Sequence, residues 1–183
     1  MLRLGTACLA TMPLPQIVQP LLDRLSDEIG ESSSVSILDG AEIVYIARAA
    51  QRKVMSISLM PGTRLPAFCT SMGRVLLAAL PEAEAEAILR AAPMPARTPH
   101  TLTEVAAVLQ ELARIRAQGY AVNDQEVEIG LRSIAVPLVN ARGRVVAAIN
   151  LGLAAASLPA EAIPDRFLPA LRRAQAELRG MIG

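Results

Sequence analysis

Apolar residues recur at helical spacing in residues 15–30, PQIVQPLLDRLSDEIG, where Ile17, Val18, Leu21, Leu22, Leu25 and Ile29 form a stripe that Gly30 can end. The period then changes. SVSILDGAEIVYIARA holds two β-rich runs around Asp39-Gly40, a pair that favours a type I′ hairpin turn. Alternation continues in VMSISL, residues 54–59, which predicts a third strand. From about Thr70 the chain reads as a helix through SMGRVLLA, and LPEAEAEAILRAA predicts another beginning near Pro81. MPARTPH is proline-rich and reads as a surface loop. Thr101 and Glu104 stand at capping-box spacing before LTEVAAVLQELARIRAQ, a helix that Gly119 ends. A short strand at Tyr120 leads into the polar segment NDQEVEIG. Two strands follow, LRSIAVPLV and RVVAAINLGL, joined by a turn at residues 140–143, and a helix from about Pro164 to Met181 closes the chain.

Strands, a helical middle, strands again and helices at both ends indicate an α+β fold. The expected architecture is a mostly antiparallel sheet of five or six strands with helices packed on its faces. Strand and helix do not alternate strictly, which excludes a parallel Rossmann sheet, and neither GxGxxG nor GxxxxGK[ST] occurs. A length of 183 residues suits one domain burying about 70% of its unfolded surface. With 52% hydrophobic residues and a net charge of +1, the chain belongs among compact globular proteins. No apolar run approaches the roughly 20 residues that span a membrane, and the first residues lack a signal-peptide core, so a cytoplasmic location is expected. Cys8, Cys69 and the single histidine, His100, are too few for a disulfide framework or a zinc site, and no cofactor is expected. Near-neutral charge and four scattered aromatics, Tyr45, Phe68, Tyr120 and Phe167, argue against this chain gripping nucleic acid unaided.

Three places carry candidate chemistry. In GTRLPAFCTSMGRVLLA, residues 62–78, Cys69 precedes a helix start whose dipole would favour a thiolate, but only Arg64 and Arg74 are basic nearby. A small cysteine-dependent enzyme is thus one reading, and a buried apolar cysteine the other. Thr70 and Ser71 fit either a helix cap or a ligand contact. The carboxylates of NDQEVEIG suit acid/base or hard-metal chemistry, or a solvated loop in which one of them neutralises Arg132. Asn150 is the one strongly polar side chain of its strand, and an unpartnered buried amide costs about 1–3 kcal/mol. Gly152 shares its face and leaves space, as a pocket or a bulge would require.

GTRLPAFCTSMGRVLLA, GYAVNDQEVEIGLRSIAVPL, VNARGRVVAAINLGL and the opening hairpin SSSVSILDGAEIVYIARA together resemble the effector-binding domain of the IclR family of bacterial transcription regulators. SMGRVLLA and EIGLRSIAVPL are similar to the branch that regulates protocatechuate and β-ketoadipate pathway genes. The resemblance implies a GAF/PAS-like fold, with a curved sheet, helices on one side and loops closing over a ligand. Residues 1–14 resemble a remnant of the linker helix and residues 15–183 the effector-binding domain, the family's winged helix-turn-helix having no counterpart here. By the same resemblance, a small carboxylic acid touches Thr70, Ser71 and Met72, then Asn123, Ser133, Asn150 and Gly152. Phe68, Arg48, Glu126 and Arg132 are further candidates for pocket lining or loop. Asn123 stands where the family often has aspartate, and Asn150 and Gly152 where it often has serine, which turns the expectation from simple 2-oxo acids toward aromatic acids. The implied protein is a sensor without catalysis, a homodimer or tetramer that reaches DNA only through an N-terminal domain outside this chain. A ligand-free dimerisation module is the remaining alternative.

Overall fold

The computed structural model describes residues 13–51 and 58–183. Cys8, most of the expected linker remnant and most of the strand expected at 54–59 lie outside the described residues. Ser58 and Leu59, the described end of that run, have no regular structure.

The amphipathic stripe at the start forms α1 (Pro13–Ile29), and Gly30 ends it with a positive φ of 74°. The first hairpin consists of β1 (Ser32–Asp39) and β2 (Glu42–Ala49). Its turn residues are Gly40 and Ala41, one position later than expected, and only Gly40 has a positive φ, as at the first position of a type II′ turn. A strand the pattern did not predict, β3 (Arg64–Pro66), pairs at the edge beside β2. After a single 3-10 turn at Ala67–Cys69 come α2 (Ser71–Ala78), α3 (Glu82–Ala91) and α4 (Val105–Gln118). Gly119, at φ 81°, caps α4 in the left-handed conformation. Strands β4 (Ala121–Asp124), β5 (Leu131–Val139) and β6 (Val145–Ala154) precede the closing helix α5 (Ile163–Arg179).

The capping box is a correction. Helix α4 begins at Val105 with no side-chain cap, and the Thr101 hydroxyl instead accepts from the Arg97 and Thr98 N–H groups and donates to the Glu126 carbonyl. A loop that must hold a neighbouring loop has outcompeted the cap.

All pairs in the six-stranded sheet are antiparallel, in the order β3-β2-β1-β6-β5-β4. One apolar cluster joins α1 and α5 to one face through Val18, Leu22, Ile149, Leu151, Phe167 and Leu171. A second joins α2, α3 and α4 to the other face through Met72, Leu77, Leu89, Leu112 and Ala148. Helices therefore lie on both faces, not on the single side that the resemblance implied. All eight residues of α2 are buried, because this helix sits between the sheet and two other helices and its one charged side chain, Arg74, is paired with Glu126. No helix among the described residues is long and apolar enough to cross a membrane.

Candidate functional site

The site lies where the start of α2 meets the sheet. Cross-strand pairing explains why residues far apart in sequence converge there. Asn123 pairs with Ser133, and Ser133 with Gly152, so these three lie in one row across β4, β5 and β6. Asn150 lies two residues back on the same face, opposite Ser34, and Ser34 in turn pairs with Arg48. Above these rows stand Thr70, Ser71 and Met72. Together with Tyr45, Leu59, Leu65, Val127 and Leu131, these residues enclose a cavity of about 30 Å³.

Thr70 is a helix cap: its hydroxyl accepts from the Gly73 N–H at 3.2 Å and lies 3.1 Å from the Pro66 carbonyl. Gly73 has to be glycine, since a Cβ there would collide with the Ala67 carbonyl. Ser71 and Ser133 hydroxyls bond each other at 2.7 Å. The Ser71 and Met72 N–H groups, at the first turn of α2, have no partner among the described residues, whereas those of Thr70 and Gly73 are taken. Asn123 is also committed, donating to the Cys69 carbonyl at 2.8 Å and accepting from the Glu126 N–H at 3.3 Å. Asn150 is different. Its residue is 8% exposed, and its Oδ1 is buried with no hydrogen-bond partner. Asn150 keeps regular register with both neighbouring strands, so it does not mark a bulge. An added Cβ at Gly152 would meet nothing within 4 Å.

Of the four further candidates, only Arg48 lines the cavity. It donates to the Ser34 hydroxyl at 2.9 Å, and no carboxylate pairs with it among the described residues. Burial lowers its pKa, opposed by its interaction with Tyr45. Arg132 neighbours Ser133 on a strand, so it points to the other face. There it binds Asp124 at 2.6 Å and the Ala155 and Leu158 carbonyls, and its hydrogen bond holds the Asp124 carboxyl below its ordinary value. Glu126 is not at the cavity either. It forms a two-pronged pair with Arg74, at 2.5 and 2.6 Å, and accepts from the Leu102 N–H. Arg74, 2% exposed within the apolar α2, also donates to the Phe68 carbonyl. Phe68 lines a separate apolar cleft of about 450 Å³ with Pro66, Leu77, Leu89 and Met94. That cleft is larger, but its only charged lining groups, Asp39 and Glu42, are both bound by Arg64. The small cavity, not the large cleft, has the free hydrogen-bonding groups that recognition needs, in the Asn150 Oδ1 and the Ser71 and Met72 N–H groups.

Sequence reasoning missed three contributors. Tyr45 lines the cavity, and Thr98 and Thr101 hold the acidic loop through the Gln125 and Glu126 carbonyls. No local pattern marks this role for either threonine, because each acts on a segment more than twenty residues away.

Cys69 is fully buried, and burial pushes its thiol up to about 11. At pH 7.5, an alkylating agent is therefore expected to label Cys69 in the native protein no faster than global opening allows, and readily after denaturation. Mass spectrometry of partially labelled protein checks this, and rapid native labelling at Cys69 would contradict it.

An antiparallel sheet between two helical layers is shared with solved effector-binding domains of one class of bacterial transcription regulators. The family described as "Bacterial transcriptional regulator IclR C-terminal" matches residues 6–178, and the chain belongs to this family. It is 43% identical over 178 residues to the Pca regulon regulatory protein of Pseudomonas putida, covering 97% of this chain and 61% of that protein. The chain thus spans about three fifths of that relative's length. A crystal structure of a transcriptional regulator from Rhodococcus sp. RHA1 superposes with a TM-score of 0.90 at 43% identity, over 97% of this chain and 73% of that one. The inducer-binding domain of the PobR transcription factor from Acinetobacter, a double mutant in complex with 3-hydroxybenzoic acid, superposes with a TM-score of 0.86 at 31% identity, over 93% and 100%. The name of the Pseudomonas relative accords with the branch read from SMGRVLLA and EIGLRSIAVPL. These relatives are transcriptional regulators and not enzymes, in line with Cys69 as a packing residue.

Proposed function

We propose that this domain senses a small aromatic carboxylic acid, of the class of protocatechuate and 4-hydroxybenzoate, in the cavity between α2 and the sheet. The observation that carries the reading is the buried Asn150 Oδ1, left without a partner in a cavity that Arg48, Ser71, Asn123 and Ser133 also line. A solid dimerisation module would have no reason to keep that amide unsatisfied. The acid's carboxylate is received by the free Ser71 and Met72 N–H groups at the helix start, with Arg48 supplying the balancing charge. That an inducer-binding domain of similar fold holds 3-hydroxybenzoic acid supports the ligand class.

A cavity of about 30 Å³ has room for a water molecule but not for an aromatic ring. Binding therefore requires the segments carrying Leu59 and Val127 to move aside and re-close over the acid. In the whole regulator, this rearrangement of residues 58–68 and 123–130 biases how effector domains pair in a dimer or tetramer. The pairing in turn sets the spacing of two DNA-reading heads, a coupling typically worth about 1–3 kcal/mol. Helix α1 follows directly on the expected linker and packs on the opposite face of the sheet from the cavity.

Thermal unfolding with a panel of aromatic acids tests the site. At about 100 times its dissociation constant, the right acid stabilises by roughly 2.7 kcal/mol, or about 5–10 °C for a domain of this size. Gly152→Val, which fills open space without a clash, should abolish the shift. The site assignment fails if no small acid raises the midpoint, or if the valine variant responds like the parent.

A further inference from the structure

Tyr45 and Arg48 are three residues apart on β2, and in a regular strand an odd spacing sends side chains to opposite faces. Here both line the same cavity. The cause is a bulge. Val35 pairs with Ala47, but the next residue, Ser36, pairs with Tyr45, so Ile46 is an extra residue with no partner on β1. Ile46 and Ala47 both turn into the core beneath α1, and the strand regains its alternation with Tyr45 on the cavity face. Tyr45 is 4% exposed and lines the cavity, and no described residue hydrogen-bonds its hydroxyl, which is left available to a ligand. Burial also pushes this hydroxyl up to about 12, so it keeps its proton and can both donate and accept.

We infer that the bulge at Ile46 exists to aim Tyr45 into the cavity, where its hydroxyl reads a ring hydroxyl of the bound acid and makes the site selective for hydroxylated over unsubstituted aromatic acids. This rests on the reading of the cavity as an acid site. The register assigns the ends. Ser71, bonded to Ser133, marks the row of Asn123 and Gly152, where the carboxylate is received. Met72, whose sulfur accepts from the Ser36 hydroxyl at 3.2 Å, marks the row of Tyr45 further along the sheet. Asn150 and Arg48 lie in the row between. An acid with its carboxylate at the first row presents its ring substituents toward the last. An acid lacking a hydroxyl has nothing to offer the phenol.

The test is calorimetric titration of the 183-residue chain with benzoate, 3-hydroxybenzoate, 4-hydroxybenzoate and 3,4-dihydroxybenzoate, repeated with Tyr45→Phe. At least one hydroxylated acid should bind the parent about tenfold more tightly than benzoate, and Tyr45→Phe should remove that margin while leaving benzoate unchanged. Equal weakening of benzoate and hydroxylated acids in the variant would make Tyr45 a packing residue and overturn the inference. Equal binding of all four acids by the parent would also overturn it while the acid site stands, and this arm needs no variant to fold. Binding of none of them would remove the acid reading and this inference with it.

Discussion

Replacing Glu126 with alanine is expected to destabilise the domain by about 3–5 kcal/mol, lowering the unfolding midpoint by on the order of 10 °C. The cost comes from what is left behind. Arg74 is 2% exposed in the middle of α2, and its two-pronged bond to Glu126 joins the central helix to the acidic loop. Without the carboxylate, a guanidinium remains buried against the Phe68 carbonyl alone, and the Leu102 N–H loses its acceptor. Burying an unpaired charge costs far more than a well-made pair gains, so the pair itself need not be stabilising relative to apolar residues. The double variant Arg74→Met with Glu126→Leu separates these ideas, and most of the lost stability should return in it. Denaturant unfolding of the two proteins beside the parent measures both. A single variant within about 1 kcal/mol of the parent would mean that the pair is not the anchor its burial implies.

That anchor also shows where the sequence was and was not legible. The long helices and the strands with clear alternation could be read directly, since each period reflects one buried face. Arg74 could not. Within SMGRVLLA it reads only as a basic residue near Cys69, and its carboxylate partner lies 52 residues away. Arg132 was legible for the opposite reason, because its carboxylate, Asp124, sits across the adjacent strand pair. The edge strand β3 is only three residues long in a Gly/Pro-rich turn, too short for alternation to register. At the site, the start of α2 and the last strand were marked by polar residues interrupting apolar runs. Tyr45 was not marked, because counting by two from Arg48 places it on the wrong face, and a bulge is invisible to a count by two. Phe68 and Glu126 were drawn toward the cavity by closeness in sequence, but the 3-10 turn sends Phe68 to the apolar cleft, and Arg74 holds Glu126 beneath the loop.

Replacing Asn150 with leucine should separate stability from binding. In the ligand-free protein the amide is a burden: its Oδ1 is buried without a partner, which costs about 1–3 kcal/mol. Leucine is of similar size and shape and asks for no hydrogen bond, and its neighbours across the strands, Ser34 and Ala135, are small. The ligand-free variant should therefore unfold at the same temperature as the parent or up to a few degrees higher. Its affinity for the acid should move the other way. In the parent, a ring hydroxyl of the ligand donates to the Asn150 Oδ1, and a hydrogen bond between neutral groups contributes about 0.5–1.5 kcal/mol. Losing it corresponds to a roughly two- to tenfold weaker dissociation constant. Stability retained while binding falls is the mark of a residue kept for its ligand, since a structural amide would lose both together. Unfolding of the ligand-free variant and calorimetric titration with the best acid of the panel decide it. A variant that unfolds several degrees early, or that binds as tightly as the parent, would show that Asn150 does not contact the effector.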